Sequence, residues 1–156
     1  MGGSMVLSSN AVAFAASGPV MPDPESLFTL SETGEQAVLS VTGMPPGAVS
    51  ASYEWQINYI SLAPKGKKQI DLLDENDTVI YSTQLGASVC GRPCTPWTPS
   101  SSGLSTVRLD RHKGMTPGDY YEVDVRVTWD MDQGPPMVAT YRIYGRYGEP
   151  AWAEPM

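Results

Sequence analysis

The side chains that could do chemistry are few. The chain has one histidine, His112, within Asp110-Arg111-His112-Lys113-Gly114. Acyl transfer needs a histidine held by a carboxylate and touching a nucleophile. A short charged stretch ending in glycine reads instead as a turn between strands. One histidine also excludes a histidine-rich zinc site. Cys90 and Cys94 enclose Gly91-Arg92-Pro93. Two thiolates do not complete a zinc tetrahedron, and the chain has no second pair. A thiol–disulfide motif would place its cysteines closer together, at a helix start. Two readings stay open: a small disulfide ring that stiffens its loop, or two free thiols, as the redox compartment dictates.

Asp130-x-Asp132-x-Gly134 has the spacing that opens a calcium loop, but no bidentate glutamate follows at the required distance. That segment and Asp74 to Asp77 read as solvated turns. Most of the 17 Asp and Glu residues fall in turns or on strand faces expected to meet solvent. No pair stands apart for glycoside chemistry. The expectation is a chain with no catalytic residue, metal ligand or cofactor, and no enzyme.

Other residues are suited to contact. Trp97 lies in Pro93-Cys94-Thr95-Pro96-Trp97-Thr98-Pro99. Flanked by prolines, it is either tucked against its own domain or exposed as an anchor. Trp152 offers the same alternatives near the C-terminus. Arg92 shares the Trp97 loop, and aromatic and arginine residues dominate interface hot spots. Phe14 is centred in Ala11 to Ala16, among neighbours too small to cover it. The first 22 residues carry no charge, and no lysine or arginine precedes Lys65. Such a segment is suited to burial against a neighbour. The formal net charge of −7 argues against nucleic acid as a partner. No apolar run reaches the roughly 18 residues that span a membrane. Ala11 to Ala16, with Ala13-Phe14-Ala15, has the look of a short secretory core and cleavage site, but no positive charge precedes it.

The elements that position these residues read as β-strands. Residues 1–35 are expected to be an extended arm, since Pro22-Asp23-Pro24 opposes regular structure. Residues 36–147 carry about seven strands, the count of a sandwich. Two are long. In 51–60, Tyr53, Trp55, Ile57 and Tyr59 alternate with Ser52, Glu54, Gln56 and Asn58. In 120–129, Tyr121, Val123, Val125, Val127 and Trp129 alternate with polar residues. A period of two marks a half-buried strand. Trp55, Tyr121 and Trp129 are therefore core candidates, and two sheets would pack on these faces. Residues 85–103 have no period and read as a long contact loop. Residues 148–156 read as a tail.

Met115-Thr116-Pro117-Gly118-Asp119-Tyr120-Tyr121-Glu122-Val123-Asp124-Val125-Arg126-Val127 resembles the late strand of immunoglobulin-like and fibronectin type III domains. The resemblance implies an Ig-like antiparallel β-sandwich whose corner tyrosine caps a loop with its hydroxyl. Tyr121 is in phase for that role, Tyr120 is the alternative, and Trp55 resembles the core tryptophan. Neither long strand carries the cysteine of the antibody inter-sheet disulfide. Arm, sandwich and tail together resemble small structural proteins of tailed-phage virions. That implies a capsid decoration or cement protein, or else a tail, baseplate or neck adaptor. Its partners would be capsid or tail subunits and copies of itself, in a virion assembled in the host cytoplasm. The alternative is a secreted or surface-displayed carbohydrate- or protein-binding module, located outside the cell.

Overall fold

The computed structural model describes residues 21–33, 36–61, 68–85, 89–90, 92–98, 104–112, 119–146 and 148–156. In chain order these form α1 (Pro24–Leu27), β1 (Phe28–Glu32), β2 (Gln36–Val41), β3 (Ala48–Ser61), β4 (Lys68–Asp74), β5 (Val79–Leu85), β6 (Val89–Cys90), β7 (Thr106–His112), β8 (Tyr120–Met131), β9 (Met137–Arg146) and β10 (Trp152–Pro155). They build two five-stranded antiparallel sheets, ordered β10-β9-β8-β3-β6 and β1-β2-β7-β4-β5. The molecule is an all-β sandwich.

The alternation of side chains across each strand drives the packing. Ala37, Leu39 and Val41 of β2, Val107 and Leu109 of β7 and Leu72 of β4 face Trp55 and Ile57 of β3 and Val123, Val125, Val127 and Trp129 of β8. Trp55, Tyr121, Trp129 and Tyr141 are fully buried. Each large apolar side chain removed from water contributes about 1.5–3 kcal/mol before the entropy of ordering is subtracted. The Trp55 indole donates to the Leu104 carbonyl at 2.8 Å, so its one polar atom is satisfied inside the core. The Tyr121 ring lies over Gly145, its cross-strand partner. A β-carbon built there would come within 2.1 Å of the ring, so only glycine fits. Residues 113–118, the loop a corner tyrosine would cap, lie outside the described residues.

Residues 21–32 and 152–155 join the sandwich more closely than an arm and a tail would. Residues 1–20, 34 and 35 of the expected arm lie outside the described residues. The rest is structured: β1 pairs with β2 from Phe28↔Val41 to Glu32↔Ala37. The Pro22-Asp23-Pro24 segment starts structure instead of opposing it. Asp23 is an N-cap that accepts from the Glu25 amide at 2.9 Å, and Pro24 opens the helical turn. Leu27, at the end of that turn, is buried, and its carbonyl accepts from the Thr42 and Gly43 amides. The expected tail is likewise a strand, with β10 paired to β9 from Tyr144↔Trp152 to Tyr141↔Pro155. The strands therefore exceed the seven expected, the additions being β1, β6 and β10. All three are short edge strands.

A candidate interaction face

The outer face of the β10-β9-β8-β3-β6 sheet gathers the polar and aromatic residues that alternate with the core. Three cross-strand rows form it. In the first, Glu54 lies opposite Arg126 and pairs with its guanidinium. In the second, Gln56 Nε2 donates to Asp124 Oδ2 at 2.8 Å, while Arg142 grips both oxygens of Asp124 at 2.8 and 3.2 Å. In the third, Glu122 accepts from Asn58 at 2.7 Å, Arg92 at 2.6 Å and the Tyr120 hydroxyl at 2.6 Å. A register irregularity between Ile57 and Tyr59 sets Tyr59 opposite Glu122, next to Asn58.

Aromatic rings and arginines cover this network. The Arg92 guanidinium sits 3.9 Å from the Tyr59 ring centre, Arg126 4.5 Å from Trp97, and Arg146 5.0 Å from Tyr120. Tyr144 and Trp152 stack with centroids 5.3 Å apart. Four of the six arginines in the chain are thus on one face of an acidic protein. Asp124 is fully buried and Glu122, Gln56 and Asn58 are nearly so. Glu122 and Asp124 therefore do not meet solvent as the alternation alone suggested, whereas Glu54 stays partly exposed. The two buried carboxylates are paired inside a covered network.

The electrostatics suit binding better than proton transfer. Burial alone would raise the Glu122 carboxyl. Hydrogen bonds from Tyr120 and Asn58, with the charges of Arg92 and Arg142, outweigh burial and hold it below its ordinary value. A general acid working near neutrality needs the opposite shift. Tyr120 is pushed up by burial and by its bond to Glu122, and so remains a donor. Tyr141, whose hydroxyl donates to the Pro22 carbonyl at 2.8 Å, is pushed up to about 12 by burial and by Asp23.

Raised phenol values favour the neutral ring in the folded state. The stability they contribute is full below pH 10, the unfolded value, and is lost as pH rises through the folded ones. Thermal melts should stay level from about pH 7 to 9 and fall between about 10 and 12. Tyr141→Phe should flatten part of that alkaline slope. The lowered Glu122 acts in the opposite window: its contribution is present above the ordinary carboxylate value and lost as pH falls through the folded one.

Arg92 and Trp97, singled out from the sequence, come together on this face with Trp152 at its margin. The Arg92 side chain is half exposed, Trp97 is half-buried and Trp152 is 42% exposed. Trp97 thus combines both readings, tucked under Arg126 on its own sheet and still reachable. Phe14 lies outside the described residues. Cys94 is disulfide-bonded; the Cys90 side chain lies outside the described residues, though its backbone pairs with Ile60. His112 is not in a turn. Its backbone continues β7 and pairs with Gln69. The acidic turns hold themselves: Asp74 Oδ1 accepts from the Asn76 and Thr78 amides, Asp77 pairs with Arg108, and Asp130 accepts from Ser50. Among the described residues no group of three potential ligands converges on a metal position. No helix among them is long and apolar enough to cross a membrane.

Of the expected contact loop 85–103, residues 86–88, 91 and 99–103 lie outside the described residues, and the described part is held more regularly than its irregular sequence suggested. Residues 92–98 lie along β3. Cys94 and Thr95 donate their amides to the Ile57 carbonyl, and Thr98 donates to the Trp55 carbonyl. In return the Ile57 and Trp55 amides donate to the Thr95 and Thr98 hydroxyls at 2.9 and 2.8 Å. Sequence reasoning missed the carboxylate rows. Their signal was present as polar residues alternating in phase on two long strands, Glu54-x-Gln56-x-Asn58 and Glu122-x-Asp124-x-Arg126. Arg126 belongs to that pattern, but Arg92 and Arg142, which complete the other two rows, come from other segments. No family model, curated protein or solved structure matches this chain.

Proposed function

We propose that this chain is a non-enzymatic structural protein of a tailed-phage virion, a decoration or cement protein that ties neighbouring subunits together. One observation carries the reading: Tyr59, Trp97, Tyr120, Tyr144 and Trp152 are interleaved with Arg92, Arg126 and Arg146 on one sheet face. Tryptophan, tyrosine and arginine on a rigid support are the residues that dominate protein–protein hot spots. The uncharged first 22 residues supply a second surface whose burial releases water at about 25 cal/mol per Å2, less the entropy of ordering the segment. Capsid subunits and copies of the chain itself are the partners of this reading, and a tail or neck adaptor would use the same surfaces.

The test is incorporation into particles. Removing residues 1–20 spares the Pro22 carbonyl that Tyr141 binds. This truncation, and separately the pair Trp97→Ala with Trp152→Ala, should leave the circular dichroism and melting of the domain intact. Both should lose incorporation. Unchanged incorporation of both variants would overturn the reading.

The Cys94 disulfide favours a second reading, a secreted or surface-displayed carbohydrate- or protein-binding module, because disulfides persist in oxidising compartments. Intact mass of the native protein separates the two. Full length supports the virion protein; a shortened N-terminus supports the secreted module.

A further inference from the structure

A groove of about 460 Å3 runs along one side of the sandwich, where the two sheets end. Phe28 and Leu30 of β1 form one wall, Ala151 to Ala153 the other, and Pro24 and Glu25 close one end. Its size falls within the range of ligand pockets. β1 and β10 are the outermost strands of their sheets. Among the described residues no strand pairs with the outer edge of either, and such an edge is a template for another strand. The rim of the groove is also where the N-terminal residues join the fold. The Pro22 carbonyl is fixed by the Tyr141 hydroxyl, and Pro24 belongs to the lining.

The 20 residues before Met21 carry no charge, and 11–16 read Ala-Val-Ala-Phe-Ala-Ala. Extended, six residues span about 20 Å, enough to run the length of β1. Ser17-Gly18-Pro19 supplies a turn signal between that stretch and the fixed Pro22. Phe14 is the largest side chain of the 20, and its small neighbours allow close approach to a strand edge.

We propose that this groove is the docking site of residues 11–16, with Phe14 seated between β1 and β10. Apart from Glu25 the side chains of the wall are apolar, as is the occupant, so docking of Phe14 against Phe28, Leu30 and Trp152 buries apolar surface that each would otherwise expose to water. The inference rests on reading the arm as a segment made to be buried. It is tested on the isolated full chain, so failure of docking and failure of particle incorporation are read separately.

The experiment places a photo-crosslinker in the full chain as Phe14→p-benzoylphenylalanine and maps the adducts by mass spectrometry. Adducts on residues 24–30 or 151–153 are the expected result. Mixing isotope-labelled and unlabelled copies shows whether arm and groove belong to one copy or two, and either arrangement is docking. Adducts elsewhere, for example on the β8–β9 outer face, overturn the proposal, as does a lack of adducts. A second measurement needs no crosslinker. Phe14→Asp in the full chain should cost the β10 amides their protection from hydrogen exchange, and unchanged protection overturns the proposal equally.

Discussion

Asp124→Ala is expected to destabilise the protein by about 3–5 kcal/mol, the cost of breaking a buried ion pair from one side. Asp124 is fully buried, and its two oxygens take three hydrogen bonds, two from Arg142 and one from Gln56. Removing the carboxylate leaves the Arg142 guanidinium, largely covered, without its counter-charge. An arginine guanidinium stays protonated even without that bond, so the charge cannot be shed to relieve the loss. Urea unfolding would read the change directly, and the melting temperature should fall by roughly 6–20 °C for a chain of this size. The paired replacement Asp124→Leu with Arg142→Met should cost much less than Asp124→Ala, because it leaves no charge unpaired. A single-variant loss below about 1 kcal/mol would show that water reaches Arg142 and that the network is a surface feature.

The same residues mark how far the sequence could be read. The seven strands found from periodicity have enough length, or a sharp enough alternation, to show a period of two. β3 and β8 are the clearest, with Trp55, Ile57, Val123, Val125 and Val127 facing the core. β1, β6 and β10 escaped because their strand state is set by the neighbour. Trp152 to Pro155 has no pattern of its own and becomes a strand by pairing with β9. Phe28-Thr29-Leu30 alternates, but three residues are too few to outweigh the prolines before them. The polar face divides similarly. Alternation correctly sent Glu54, Gln56, Glu122 and Asp124 away from the core. It could not show that Arg92 and Arg142, from a loop and a third strand, would cover them. Those contacts depend on register between segments 18 to 68 residues apart, such as Arg142 with Asp124 and Gln56 with Asp124. The β8–β9 turn sets the register of Arg142 with Asp124, but nothing local to either strand shows which residues of β3 or of the 92–98 segment will meet them.

Thr95→Val combined with Thr98→Val is expected to cost about 2–6 kcal/mol, since each change strips a buried amide of its acceptor at about 1–3 kcal/mol. Valine keeps the shape of threonine and removes only the hydroxyl. The affected amides are those of Ile57 and Trp55, on the edge of β3 that β6 covers only at Ile60 and Ser61. Each threonine donates its own amide to the carbonyl of the residue whose amide it accepts. One residue thus does for β3 what a neighbouring strand would do, and the irregular 92–98 segment seals a central sheet edge. An unsealed edge is a template for pairing between chains, so light scattering should detect self-association alongside the lower urea midpoint. Serine at both positions retains the hydroxyl and should restore monodispersity and most of the stability, which separates the hydrogen bonds from methyl packing. Because Thr95 and Thr98 grip β3, the intervening Trp97 is held under Arg126, and Arg92 three residues earlier over Tyr59. If the proposed reading holds, the double-valine protein should lose incorporation into particles together with its edge seal, while the double-serine protein keeps both. The clamp that protects the sheet and the scaffold that presents the aromatic–arginine face are the same seven residues.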